Sequence, residues 1–257
     1  MISLARSLRV CERHLMMWRS MAGASIVGNV LEPLIYLIVL GYGVGAMTRP
    51  EMLPDGMTYR VFYGSGLLAS VAMFSASFES MFGAFTRMMS QRTYESMIAT
   101  PISLGEVLVG DALFAGLKGT IAALCVPLVM VAIGDPVSPL VIFGAVPAFL
   151  IAFLFASSGI LVTAYTPDYA WFNYYITLVL TPLFLFGGIF FPLERFGDYA
   201  VYATWSPLSM GVQVLRDLVT GHVPAWQAMV GLLMCSILGG GLCLWLARRK
   251  LQVRLIG

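Results

Sequence analysis

The sequence predicts an all-α integral membrane protein with six transmembrane helices, an N-terminal amphipathic helix at the interface and an outer re-entrant helical hairpin between spans 5 and 6. Three observations predict it. Of the 257 residues, 59% are hydrophobic and only 11% are charged, against roughly 45–50% and about 25% in soluble domains. Six stretches are each long enough, at about 20 mostly apolar residues, to cross the hydrocarbon. The basic residues between them fall mostly on one side, as the positive-inside bias requires.

The elements follow in order. Residues 2–21 place Leu4, Leu8, Cys11, Leu15 and Trp18 at helical spacing, with Arg6, Arg9, Arg13 and Arg19 on other faces. Such a segment is too polar to span and should lie along the interface, where its arginines meet anionic headgroups. Arg9, Glu12 and Arg13 mark its charged surface. The opening residues do not read as a secretory signal, because Glu12 and His14 follow the first arginines and no short apolar core ends in a cleavage site. The six spans are 26–47, 61–83, 107–133, 140–164, 174–192 and 226–247, read as one domain.

With the N-terminus inside, the inner segments carry ten basic residues: Arg6, Arg9, Arg13, Arg19, Arg87, Arg92, Arg248, Arg249, Lys250 and Arg254. The outer segments carry four, Arg49, Arg60, Arg195 and Arg216. Both ends are therefore expected in the cytoplasm. Two connections are long enough to carry work. The cytoplasmic one contains residues 87–101, a short helix stopped by Thr100-Pro101 that would present Tyr94, Met97 and Ile98 with Arg92 and Glu95. An apolar knob with a charged rim suits docking into a groove on a cytosolic partner; an ordinary loop is the other reading. The outer one, residues 193–222, holds Val201, Tyr202, Trp205, Leu208, Val212, Leu215 and Val219, one or two helices broken at Ser206-Pro207. Backbone dipping in from outside must be shielded by protein or face a cavity.

Composition excludes several functions. A net charge of +2 with few, scattered basic residues argues against nucleic acid. Cys11, Cys125, Cys235 and Cys243 lie at no metal spacing, and none falls in an outer segment, so no disulfide is expected. The two histidines, His14 and His222, fall on opposite sides, which argues against a histidine metal site or a triad. Gly116-Leu117-Lys118-Gly119-Thr120 lacks the upstream glycine of a phosphate loop and lies inside a span; no Walker motif exists. Any ATP is bound by another chain. Ionisable groups at membrane depth are costly and merit suspicion: Glu79 near Arg87, and Asp111 and Lys118 seven residues apart on one helical face. Lys118 is expected either to pair with Asp111 or another carboxylate, or to serve a relay.

Five stretches together resemble a known family: Gly28 to Leu37, Leu40 to Gly45, Ser77 to Arg87, Gln91 to Pro101, and Gly187 to Pro192 with Ser206-Pro207-Leu208-Ser209 and Arg216. They are similar to the permease subunits of ABC-2 type exporters, and within these to the nodulation-factor (lipo-oligosaccharide) export permeases. Ser77 to Pro101 is the most specific part. At Phe196-Gly197 the wider family commonly has Leu-Pro.

The resemblance implies a half-transporter in the inner (cytoplasmic) membrane. Two copies would pair as a homodimer, each bound to a cytosolic ABC ATPase subunit that holds ATP and Mg, with no cofactor on this chain. It assigns ATPase coupling to Arg92, Thr93, Tyr94, Glu95, Met97, Ile98, Thr100 and Pro101. The second and fifth spans would line the path, with Phe74, Phe78, Phe186, Phe190 and Phe191 as an apolar gate. The cargo would be a lipid-like or saccharide-bearing amphiphile moved outward. An ion-coupled carrier, a membrane enzyme acting on lipid and a passive scaffold are the other readings of the residues.

Overall fold

The computed structural model describes residues 3–20, 22–49, 53–199 and 203–255. Val201 and Tyr202 of the expected outer helix lie outside the described residues. Among the described residues six helical stretches are long and apolar enough to cross a membrane: Asn29–Met47, Tyr59–Ser90, Leu104–Ala132, Pro139–Tyr165, Tyr169–Phe186 and Trp226–Arg254. Their number agrees with the sequence. The second runs further than expected and the fifth stops earlier.

Local chemistry sets the boundaries. Helix α1 (Leu4–Arg19) leads into α2 (Ala22–Gly43), which carries Pro33 in its interior. Thr58 caps α3 (Tyr59–Phe78) by accepting from the Val61 N–H. Below Phe78 the chain stays helical but widens into two π-helical turns, Glu79–Gly83 and Thr86–Ser90. This widening carries span 2 beyond Gly83, where the sequence alone gives no sign of it; such turns recur at functional positions. The short helix α4 (Thr93–Ile98) follows, and a Ser103/Glu106 capping box starts α5 (Leu104–Ala132).

Helix α6 is Ala145–Tyr165. The fifth span is built from α7 (Phe172–Tyr175), a π-helical turn and α8 (Thr181–Phe186). It ends because Gly188 takes a left-handed φ of 74°, which glycine alone adopts without strain. Helix α9 (Pro207–Thr220) begins at Ser206, whose side chain accepts from the Ser209 N–H, and ends at Gly221 with φ 91°. Thus the break at Ser206-Pro207 is real and one described helix follows it. Gly197 sits at φ 58°, a turn that the Leu-Pro of the wider family would not reach. Helices α10 (Trp226–Met234) and α11 (Gly240–Leu255) form the last span.

Helices α3, α5 and α6 form the interior. Small residues let them close: a Cβ on Gly119 would sit 2.8 Å from the Ala72 carbonyl and 3.0 Å from the Ala152 and Ala76 methyls. Within their best apolar windows the second, third and fourth spans are 78%, 67% and 50% buried, against 17%, 11% and 22% for the first, fifth and sixth. The outer three therefore turn broad apolar faces to lipid or to another chain. Cys11 and Cys125 are buried, Cys235 and Cys243 half-buried, and all four thiols are free.

Candidate coupling node and translocation cleft

The left-handed turn at Arg92 is the only one at a non-glycine among the described residues (φ 49°), and it aims α4 inward. As a result Tyr94 is 1% exposed and Met97 8%. The Tyr94 hydroxyl donates to Asp111 Oδ2 on α5. Around that carboxylate a charge network closes. His14 Nε2 of α1 lies 2.7 Å from Asp111 Oδ1, and Arg87 Nη2 lies 3.3 Å from the same oxygen. Arg87 Nη1 also donates to Glu79 Oε1 at 2.7 Å, and Lys118 Nζ donates to Glu79 Oε2 at 2.7 Å.

The node thus joins α1, the π-helical foot of span 2, α4 and α5. Its formal charges balance: Glu79 and Asp111 against Arg87 and Lys118. Balance is required, since an unpaired charge this deep costs several kcal/mol whereas a paired one is tolerated. Burial, reinforced by Asp111, raises the Tyr94 phenol well above its ordinary value, so it remains a proton donor.

Two further contacts pin α1 beside the node. Arg6 Nη1 donates to the Pro101 carbonyl at 2.7 Å, and the Ser3 N–H donates to Glu106 Oε1 at 2.9 Å. Gly110 allows the approach, because a Cβ there would lie 2.6 Å from Val10 Cβ.

The expected residues divide accordingly. Lys118 bonds Glu79 and not Asp111: the two share a face of α5, but Arg87 and His14 occupy Asp111 while Glu79 reaches Lys118. Thr93, Tyr94 and Met97 are not presented to a partner as expected; they face inward because Asp111 takes the Tyr94 hydroxyl. The outward face of α4 and its flanks carries Arg92, Glu95, Ser96, Thr100 and Pro101, with Ile98 half-buried. Arg9, Glu12 and Arg13 are exposed on α1. The packed face of that helix is Ser7, Val10, Cys11 and His14, while Leu4 and Leu8 point away. Sequence reading missed His14, whose partner lies 97 positions along; the stripe of small and weakly polar residues it completes was the available signal.

At the second candidate region Phe74, Phe78 and Phe190 do meet, through a residue not singled out, Phe184. Its ring lies 5.3 Å from Phe74 and 5.0 Å from Phe190, and Phe74 lies 5.8 Å from Phe78. Phe186 and Phe191 sit at the surface, 53% and 41% exposed. Between the first, second, third and fifth spans opens a cleft of about 680 Å³, walled by Phe74, Phe78 and Phe184 with Glu79 and Lys118 at one end. Above it Arg216 of α9 donates to Ser65 Oγ at 3.1 Å and to the Gly188 carbonyl at 2.8 Å, and lies 3.9 Å over the Phe62 ring. One guanidinium so ties the outer helix to span 2 and to the exit of span 5.

Six apolar helices among the described residues, a short helix keyed by Tyr94 to Asp111 on α5 and a cleft between spans fit the transmembrane subunit of a transporter. Residues 9–220 match the ABC-2 type transporter family, and the chain belongs to it. Among curated relatives it is similar to Nodulation protein J of Rhizobium leguminosarum bv. viciae, 36% identical over 217 residues that cover 84% of this chain and 82% of that one. Nodulation protein J of Sinorhizobium fredii is 36% identical over 210 residues, 81% and 79% of the two chains. The protein of that name from Rhizobium meliloti is 31% identical over 248 residues, 95% and 94%. The chain is a multi-pass membrane protein.

Proposed function

We propose that the chain is the permease subunit of an ATP-driven exporter that moves a lipid-like or saccharide-bearing amphiphile outward. Two copies pair in the inner membrane with both termini in the cytoplasm, and each engages a separate cytosolic ATPase that binds ATP and Mg. The outward face of α4, with Arg92, Glu95, Ser96, Thr100 and Pro101, docks into that ATPase. Residues 193–222 form a re-entrant cap that Arg216 holds over the path. Helix α1 rests at the interface through Arg9 and Arg13.

The observation that carries this reading is the Tyr94–Asp111–Arg87–Glu79–Lys118 network, which makes α4 continuous with spans 2 and 3. A force applied to α4 by a motor reaches the cleft through charged contacts that are costly to break. The relatives' name refers to nodulation, and the resemblance to lipo-oligosaccharide export permeases supports an amphiphile as cargo.

The test is co-purification with an ABC ATPase, sought among the products of the neighbouring reading frames. Glu95→Arg, on the exposed face, should reduce recovery of the ATPase at least tenfold while membrane levels of the permease stay unchanged. Undiminished recovery sinks the docking assignment. Export by the purified chain alone in ion-loaded vesicles would favour the ion-coupled carrier and overturn the reading as a whole.

A further inference from the structure

Beyond Asp217 the chain carries no Asp or Glu, yet Arg248, Arg249, Lys250 and Arg254 follow near its end. The last span, Trp226–Arg254, is 29 residues long, and about 20 suffice to cross the hydrocarbon. Counted from Trp226, the apolar layer ends near Trp245, and Arg249 stands about one turn beyond it. Each Cα–Cβ bond of a helix tilts toward the N-terminus, which on α11 is toward the membrane. The basic side chains there reach back to the level of the lipid phosphates.

They meet a prepared surface. The Arg249 guanidinium lies 3.7 Å over the Trp245 ring, and Lys250 Nζ lies 5.2 Å from the centre of the Tyr165 ring at the end of α6. Both rings are open at the surface, 46% and 60% exposed. Arg254 fixes the seam between the two helices: its Nη1 donates to the Thr166 carbonyl at 2.9 Å and the Ala164 carbonyl at 3.4 Å, on either side of Tyr165. Leu244, Ala247 and Leu251 are buried on the packed side of α11. Toward the midplane Leu242, 56% exposed, continues the stripe of Trp245 and Arg249 at steps of three and four residues. Neither Arg249 nor Lys250 has a hydrogen-bond acceptor or a carboxylate partner among the described residues. Holding the C-terminus inside needs their charge alone. It does not need two cations bent back over aromatic rings with their donors unused.

We propose that the inner ends of α6 and α11 form a binding site for one anionic phospholipid of the inner leaflet. Its phosphate accepts from Arg249 and Lys250, and an acyl chain lies along Trp245 and Leu242. The contacts with Trp245 and Tyr165 hold the two cations in place before the lipid arrives, which lowers the cost of ordering them. A zwitterionic lipid offers the same phosphate but brings an ammonium that both cations repel. The site uses no residue of the cleft, of the Asp111 node or of α4. It rests on the topology proposed above but not on the ATPase, so its failure leaves the exporter reading standing.

The test uses the full chain with Trp18, Trp171, Trp205 and Trp226 replaced by Phe, which leaves Trp245 as the one tryptophan. In phosphatidylcholine vesicles, phosphatidylglycerol with brominated chains is titrated against brominated phosphatidylcholine, and quenching of Trp245 reports which lipid lies beside it. Each basic residue beside an anionic headgroup is worth about fivefold, so Trp245 should select phosphatidylglycerol by about twentyfold. Arg249→Gln with Lys250→Gln, both at exposed positions, should reduce that to under about twofold. The charge-keeping pair Arg249→Lys with Lys250→Arg should retain it, and Arg9→Gln with Arg13→Gln on α1 should leave it unchanged. Selection under about threefold with the native cations, selection that survives the glutamine pair, or an equal loss from the α1 pair would each overturn the site. Relief of quenching by inorganic phosphate would assign the cations to a free anion and overturn it as well. So would reduced recovery of the ATPase by the glutamine pair in a protein that shows no lipid selection, which would assign them to an acidic surface on that subunit.

Discussion

Replacing Asp111 by Asn removes the charge on which Arg87 and His14 converge while keeping the volume and an acceptor for Tyr94. At the 3.3 Å separation of Arg87 Nη2 and Asp111 Oδ1, two unit charges interact by about 5 kcal/mol at an effective dielectric of roughly 20. Removing one partner of a buried pair costs about 3–5 kcal/mol by mutational experience, since the other charge is left bare. The part that holds α1 to α5 is the His14–Asp111 contact at 2.7 Å; a hydrogen bond to a charged group is worth about 1.5–3 kcal/mol, and at ~2.7 kcal/mol the detached population rises about a hundredfold. Cys11 reports it, being 3% exposed on the packed face of α1. With Cys125, Cys235 and Cys243 changed to alanine, maleimide labelling of Cys11 at pH 7.5 should accelerate by about that factor in Asp111→Asn. A rise of less than threefold in correctly inserted protein would refute the node as the anchor of α1.

Three other outcomes follow from the same geometry. Gly110→Val should release α1 without touching any charge, because the new side chain starts 2.6 Å from Val10 Cβ; an overpacking cost of about 1–3 kcal/mol should give faster Cys11 labelling, with the pH profile moved toward lower pH as the thiol loses its burial. That profile is itself diagnostic: burial first and Asp111 second raise the Cys11 thiol, so the thiolate forms late and labelling should still climb past the pH of about 8.5 where an ordinary thiol is half ionised. In Asp111→Asn it should shift toward lower pH. Arg216→Lys keeps the charge but loses the fork that reaches Ser65 and the Gly188 carbonyl together, so ATP-dependent export should fall at least tenfold with recovery of the ATPase unaltered; equal export would rule out the tie between α9 and the exit of span 5.

Spans were legible because hydrocarbon thickness acts on every residue of a crossing helix, and composition alone reports it. The pairing of Glu79 with Arg87 was legible for a similar reason, the two being close in the chain and of opposite sign. What sequence did not disclose was direction at the foot of span 2. Glu79–Gly83 and Thr86–Ser90 are π-helical, which resets the angular relation between Glu79, Arg87 and everything after them. Arg92 then turns left-handed and sends Tyr94 inward. Residues 87–101, read as a short helix with an apolar knob, would therefore offer Tyr94 and Met97 to a partner, whereas Tyr94 faces Asp111 and both are buried. His14 and Phe184 were missed because each acquires its role from residues far off in sequence, Asp111 for one, Phe74 and Phe190 for the other.

The distribution of burial bears on how force would travel. Contacts between apolar helices in lipid gain little over helix–lipid contacts, so such helices slide past one another at small cost. Helices α3 and α5 escape this, being locked by close small-residue packing and by a node whose separation would strand charges. They move with α4 and α1 as one body. The first and fifth spans, 17% and 11% buried, have no such lock, yet they form two walls of the cleft. A push on α4 would therefore change the cleft by carrying span 2, with Phe74 and Glu79, past spans that stay behind in the lipid or against the second copy. Because no ion pair among the described residues ties the first or fifth span to the wall that holds Glu79 and Lys118, one small helix can reshape the path without unfolding any of it.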